Sequence, residues 1–123
     1  MPAVGVKTIL VVEDEPILSE VLEIQMKRLG YSVSPAKNGK EALRKAASAL
    51  PDLILLDIRL PDLDGFRVAT LIRKMRKTRS IPILAVSGLP IDKEECLKSG
   101  FNDYLAKPFT NADLVNHVKK LLE

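Results

Sequence analysis

The sequence is short of the residues that would take it outside the ordinary globular class. Its single cysteine, Cys96, excludes an internal disulfide. With no second Cys and no adjacent His, it offers neither a zinc site nor an activated nucleophile, and a small core or helix-face role is expected. There is no Trp, and aromatics make up only 4% of the chain, too few for a base-stacking platform on single-stranded nucleic acid. No run approaches the roughly 18 apolar residues of a membrane span. Thr8 to Val12 is too short for a signal peptide and lacks a small-residue cleavage site after it. Repeats, linkers and low-complexity tracts are absent as well, so the expectation is a cytoplasmic chain with no membrane partner.

What is present is enough for one domain. A length of 123 residues at 46% hydrophobic content supports an ordinary core, expected over about residues 7 to 122. The net charge of +3, from 19 basic and 16 acidic residues, raises nucleic-acid binding as a question of distribution. The densest basic segment, Arg73 to Arg79 (RKMRKTR), closes a predicted helix, where cations complement the dipole. A solvated helix end or a partner-facing patch accounts for it, and no direct nucleic-acid partner is expected.

Periodicity predicts five strands alternating with five helices. Lys7 to Val12 is a β-branched apolar run ending at three acids, as for a buried parallel strand. A helix follows from Pro16 to Leu29, with Pro at its start, apolar residues at Ile17, Leu18, Val21, Leu22 and Leu29, and Gly30 as its stop. Tyr31 to Ala36 reads as a strand. After the Asn38-Gly39 turn, Lys40 to Leu50 places Ala42, Leu43, Ala46, Ala47 and Leu50 on one helical face before Pro51-Asp52. Leu53 to Ile58 is a buried strand, Phe66 to about Lys77 a helix, and Ile83 to Val86 a strand ending at Ser87-Gly88. Ile91 to Ser99, Asp103 to Ala106 and Asn111 to Leu122 complete the series as helix, strand and helix. Such alternation predicts a doubly wound α/β domain with a parallel sheet covered on both faces. Ligands of such sheets bind beyond the carboxyl ends of the strands, where strand order reverses.

Those ends are polar. Strand one ends in Glu13-Asp14-Glu15, strand three in Asp57, strand four in Ser87-Gly88 and strand five in Lys107-Pro108. Acids at 13 to 15 alone would suit a helix cap, but that does not explain Asp57 at the end of a separate apolar strand. Carboxylates brought together repel unless a cation or a proton lies between them, and hard oxygen ligands suit Mg²⁺. With such an ion, a carboxylate at the same edge can act as nucleophile toward phosphorus. Phosphoryl transfer depends on positioning and charge neutralisation, which an ammonium group and a hydroxyl, here Lys107 and Ser87, can share with the metal.

In this order the motifs ILVVEDE, LLDIRLPDLDG, AVSG and YLAKPF resemble the receiver domains of response regulators in two-component signalling, over nearly the whole chain. The resemblance implies a flavodoxin-like fold with strand order 2-1-3-4-5 and a cis Lys107-Pro108 bond. It implies that Asp57 is phosphorylated from a phosphohistidine on a sensor histidine kinase or a histidine phosphotransfer protein. Asp14, Asp57 and the backbone carbonyl of Arg59 would bind Mg²⁺, with Glu13 helping through water, while Ser87 and Lys107 hold the phosphoryl oxygens. It further implies a switch: phosphate draws Ser87 inward, Tyr104 rotates, and the surface of helix four, strand five and helix five changes. That surface is where such domains form a phosphorylation-dependent homodimer or meet an output partner. The chain would be a signalling domain rather than an enzyme, catalysing only its own phosphorylation and dephosphorylation.

Two positions are less typical of the resemblance. Arg59, two residues after the acceptor, either shields the phosphoryl group or points to solvent, and Leu89 offers no carboxylate to orient an attacking water. Slow self-dephosphorylation is therefore expected. Asp64 is expected to cap the following helix, and His117, the only histidine, to be a solvated or partly packed helix residue. A haloacid dehalogenase type phosphatase would need a second Asp two residues after the nucleophile, where Arg59 stands, and the chain is short for a cap domain. A degenerate, binding-only receiver would have lost the acceptor or the acids. With no residues after the last helix in this sequence, a free-standing regulator is expected over a receiver excised from a hybrid kinase or a larger regulator.

Overall fold

The computed structural model describes residues 5–88 and 93–123. Among them lie five strands and five helices in strict alternation: β1 (Thr8–Val12), α1 (Pro16–Arg28), β2 (Ser32–Ala36), α2 (Gly39–Ala49), β3 (Leu53–Leu56), α3 (Gly65–Lys74), β4 (Ile83–Ser87), α4 (Lys93–Lys98), β5 (Asp103–Ala106) and α5 (Asn111–Leu122). The strands form one sheet in the order β2-β1-β3-β4-β5, every pair parallel. This is the expected doubly wound, flavodoxin-like arrangement, and the reversal of strand order falls between β1 and β3. Pro35, which cannot donate to a ladder, lies on β2 at the sheet edge.

Alternation along the strands divides the core between the two faces. Leu10, Val12, Ile54, Leu56, Ile83 and Ala85 pack with Ala42, Ala46, Val68, Ala69, Ile72 and Cys96 of α2, α3 and α4. Ile9, Val11, Leu53, Leu55, Leu84 and Val86 pack with Leu22 and Met26 of α1 and with Leu114 and Val118 of α5. Cys96 is thus a core residue.

Helix faces were less legible. In α1 the buried residues are Leu22 and Met26, whereas Ile17 and Val21 are 74% and 43% exposed. The helix turns the 18/22/26 line inward, so the apolar residues at 17, 21 and 24 form a second stripe facing outward. Leu50 does not belong to the buried face of α2 either: it is the C-cap, in the left-handed region at φ 47°, and is exposed. Helix α3 stops at Lys74, three residues earlier than its charge pattern suggests. Met75 is extended, and the Thr78 hydroxyl donates to the Ile72 carbonyl (2.7 Å), taking an acceptor that another helical turn would use. The first two residues expected in α4, Ile91 and Asp92, lie outside the described residues.

Among the described residues no helix is long and apolar enough to cross a membrane.

Candidate functional site

The polar cluster sits where the β1, β3, β4 and β5 strands run out. The β3 ladder to β4 ends at the pair Leu56 and Ala85, so Asp57 stands one residue past the strand, its amide donating to the Val12 carbonyl (3.0 Å). Glu13 likewise follows β1 and donates its amide to the Ala36 carbonyl (3.0 Å). Backbone bonding therefore fixes the base of both carboxylates on adjacent strands. Ser87 closes β4 and is buried; its carbonyl accepts from the Lys107 amide (2.9 Å), which brings the lysine to the same edge. The Lys107-Pro108 bond is cis, as expected.

Lys107 Nζ lies 3.0 Å from Glu13 Oε1 and 3.2 Å from Asp57 Oδ2. One carboxylate oxygen from each of Glu13, Asp14 and Asp57 lies within 4.8 Å of the others. Glu13 and Asp57 are buried and Asp14 is exposed. Burial pushes the Glu13 carboxyl up to about 7, reinforced by the nearby Asp57 charge and opposed by the Lys107 hydrogen bond. At Lys107 burial opposes the charge, but the bond to Glu13 and the two carboxylates outweigh it and raise its pKa. Three carboxylates around one ammonium leave an excess of negative charge. The donors are all hard oxygens, and such a set fits a small divalent cation.

Asp57, Arg59, Ser87, Gly88 and Lys107 line one cleft, with Arg59 exposed at its rim. The Arg59 amide donates to Asp57 Oδ1 (3.2 Å). Tyr104 is half-buried on β5 and its hydroxyl donates to the Ser87 carbonyl (3.3 Å), so every expected site residue lies in or beside this edge. Leu89 lies outside the described residues. Asp64 caps α3 as expected, accepting from the Arg67 amide (2.8 Å).

Three features were missed. His117 is partly packed, as expected, but its Nδ1 lies 2.7 Å from Asp103 Oδ2, with Lys93 Nζ 3.8 Å from the other oxygen. Asp62, within the acceptor loop, accepts from the amides of Gly39 (2.7 Å) and Lys40 (3.0 Å). Arg73, read as part of a solvated run, is bonded inward to three carbonyls and to Asn102. No local pattern announces these contacts, because the partners are 10 to 29 residues apart except where Arg73 reaches the following turn.

The family model described as "Response regulator receiver domain" matches residues 9–119. The alkaline phosphatase synthesis transcriptional regulatory protein PhoP of Bacillus subtilis is 40% identical over 116 residues, covering 94% of this chain and 48% of that protein. The chain thus spans about half the length of that relative. Among solved structures, the receiver domain of a sensor histidine kinase from Pseudomonas aeruginosa, with magnesium coordinated in its active-site cleft, is 40% identical. It superposes at a TM-score of 0.88, covering 96% of this chain and 98% of that one. The Thermotoga maritima response regulator TrrA, in complex with Mg²⁺ and BeF, is 37% identical at a TM-score of 0.85, covering 94% and 99%. With its fold, its acidic cluster and its sequence all in agreement, this chain belongs to the response regulator receiver domain family.

Proposed function

We propose that Asp57 accepts a phosphoryl group from a phosphohistidine on a partner histidine kinase or phosphotransfer protein, in a reaction that requires Mg²⁺. The observation that carries this reading is the Asp57 carboxylate held 3.2 Å from the Lys107 ammonium beside two further carboxylates. An Asp57 oxygen forms the new P–O bond as the P–N bond to the donor imidazole breaks, and the imidazole takes a proton from solvent. Lys107 then turns from Asp57 to a phosphoryl oxygen and the Ser87 hydroxyl donates to another. Asp14, Asp57 and the Arg59 carbonyl would hold Mg²⁺, with Glu13 acting through water. When bound, the ion supplies charge neutralisation on the phosphoryl oxygens. The magnesium described in the Pseudomonas receiver and the Mg²⁺ and BeF in the Thermotoga protein support this assignment.

The bond from Tyr104 to the Ser87 carbonyl supports a path outward: movement of Ser87 toward phosphate changes the seat of the Tyr104 ring and with it the α4, β5 and α5 surface, where an output partner or a second copy binds. The donor protein must cover the cleft to reach Asp57. The exposed apolar stripe Ile17, Val21 and Ile24, on the helix that begins directly after Glu15, offers it an apolar seat at the rim. Arg59 at the cleft rim screens the acyl phosphate from water, and the phosphorylated form persists for minutes rather than seconds.

The test is incubation with acetyl phosphate and Mg²⁺, wild type beside Asp57→Asn, read by intact mass. Wild type gains one phosphoryl group and the variant none; a wild type that gains none sinks the proposal.

A further inference from the structure

We propose that Asp62 is a positioning residue for the acceptor site, tying the loop after β3 to the amino end of α2 and so holding Arg59 where it meets Asp57 and the metal. This rests on the function proposed above.

The loop from Ile58 to Gly65 is pinned at its base and at its tip. At the base the Gly65 amide donates to the Ile58 carbonyl (2.6 Å). No side chain fits at residue 65, since a Cβ would stand 2.5 Å from Ile58 Cα and 2.7 Å from the Asp57 carbonyl oxygen. At the tip Asp62 Oδ1 accepts from the Gly39 amide and Oδ2 from the Lys40 amide. Close packing adds to this: a Cβ at Gly39 would lie 2.8 Å from Leu63 Cβ. Arg59 sits between the two anchors, with its amide on Asp57 Oδ1 and its carbonyl expected on Mg²⁺.

Helix capping alone does not account for Asp62. Helix α2 already carries its own cap: Asn38 Oδ1 accepts from the Glu41 amide (2.8 Å), and the Glu41 carboxylate accepts from the Lys37 amide (3.2 Å), both within one loop. Asp62 takes the remaining first-turn amides from across the fold. The connection runs from the loop that follows the acceptor to the loop that follows β2, and Lys37 of that second loop lines the same surface cleft as Glu13 and Asp14. Asp62 is itself exposed, so packing of its side chain does not explain its placement. Desolvation raises its carboxyl, but the backbone amides of Lys40, Gly39 and Leu63 together outweigh it and hold the group below the usual range, consistent with a carboxylate used as an anchor.

The experiment compares wild type, Asp62→Ala, Asp62→Asn and Asn38→Ala for melting temperature, Mg²⁺ affinity by calorimetry, and the lifetime of the phosphoryl group loaded from acetyl phosphate. Outer partners of metal ligands typically change affinity on the order of 10-fold or more. Asp62→Ala is expected to weaken Mg²⁺ by about that factor and to shorten the phosphoryl lifetime. Asp62→Asn, which keeps an acceptor for Gly39 but loses the charge, falls between it and wild type. Asn38→Ala removes the other α2 cap and lowers the melting temperature, but leaves Mg²⁺ affinity unchanged. If every folded Asp62 variant binds Mg²⁺ and holds phosphate like wild type, or if Asn38→Ala reproduces the loss, the proposal fails. A wild type that neither binds Mg²⁺ nor takes phosphate overturns the proposed function instead.

Discussion

Lys107 Nζ bridges Glu13 and Asp57, at 3.0 and 3.2 Å, so one ammonium compensates two buried carboxylates on neighbouring strands. Taking away one partner of a buried pair costs about 3–5 kcal/mol, and the partial exposure of this ammonium, 23% for its side chain, reduces the expectation for Lys107→Met to about 2 kcal/mol. The variant leaves three carboxylates, one oxygen of each within 4.8 Å of the others, without the Lys107 ammonium. Mg²⁺ is therefore expected to raise its melting temperature by more than it raises that of wild type. Thermal melts with and without Mg²⁺ check this, and equal shifts in the two proteins would count against it.

The sheet was legible because its strands are short, apolar runs bounded by turn residues, and the site because its parts lie at the ends of those strands. Helix faces were read less well. Ile17 and Val21 carry the same hydrophobic signal as Leu22 and Met26, and only the direction of the sheet decides which line is buried. The end of α3 was obscured because Arg76 and Lys77 favour a helix as strongly as Lys74 does, whereas the competing bond from Thr78 to Ile72 is set by tertiary packing. The cation run likewise concealed that Arg73 differs from its neighbours.

Arg73 donates to the carbonyls of Gly100 (2.9 Å), Arg79 (2.9 Å) and Ile81 (2.6 Å) and to Asn102 Oδ1 (2.7 Å). One guanidinium thus joins α3 to the turns that enter β4 and β5. Burial pulls its pKa down, yet it stays charged. Arg73→Lys offers a point charge for a planar fork and leaves several carbonyls unbonded, which is expected to cost about 2–3 kcal/mol, a fall of roughly 8–12 °C for a domain of this size. Arg76→Lys, on the exposed turn, is expected to change stability by less than about 0.5 kcal/mol. Parallel denaturant titrations separate the two, and equal small effects would show the clamp to be dispensable.

Gly65 and Gly39 predict a graded response to a single methyl group. At Gly65 the added Cβ meets backbone, Ile58 Cα at 2.5 Å and the Asp57 carbonyl at 2.7 Å, so the acceptor's own strand must move. At Gly39 it meets Leu63 Cβ at 2.8 Å, an atom fixed to the backbone of the loop, so that loop must give instead of the strand. Overpacking costs about 1–3 kcal/mol, with Gly65→Ala, which meets backbone at two atoms, expected at or above the top of that range and Gly39→Ala within it. Gly65→Ala is also expected to lose most phosphoryl uptake from acetyl phosphate. A Gly65→Ala protein with wild-type stability and uptake would refute the close approach.

Asp103 supplies the pH dependence. It is buried on β5 between α4 and α5. Desolvation pushes its carboxyl up, but the bond from the Tyr104 amide, then His117 and Lys93, pull it below its usual value of 3.8. The folded state therefore favours the carboxylate, and the stability it contributes is present above pH 3.8 and lost as pH falls through the lower folded value. A charge-assisted hydrogen bond contributes about 1.5–3 kcal/mol, so Asp103→Asn is expected to be about 2 kcal/mol less stable than wild type at pH 7. That gap closes as pH falls below 3.8, because protonation of wild-type Asp103 removes what the Asn variant already lacks. Urea midpoints at pH 7, 4 and 3 measure it. A gap that stays constant across the series would mean that Asp103 acts through shape, and that its charge toward His117 and Lys93 contributes nothing to the α4, β5 and α5 surface.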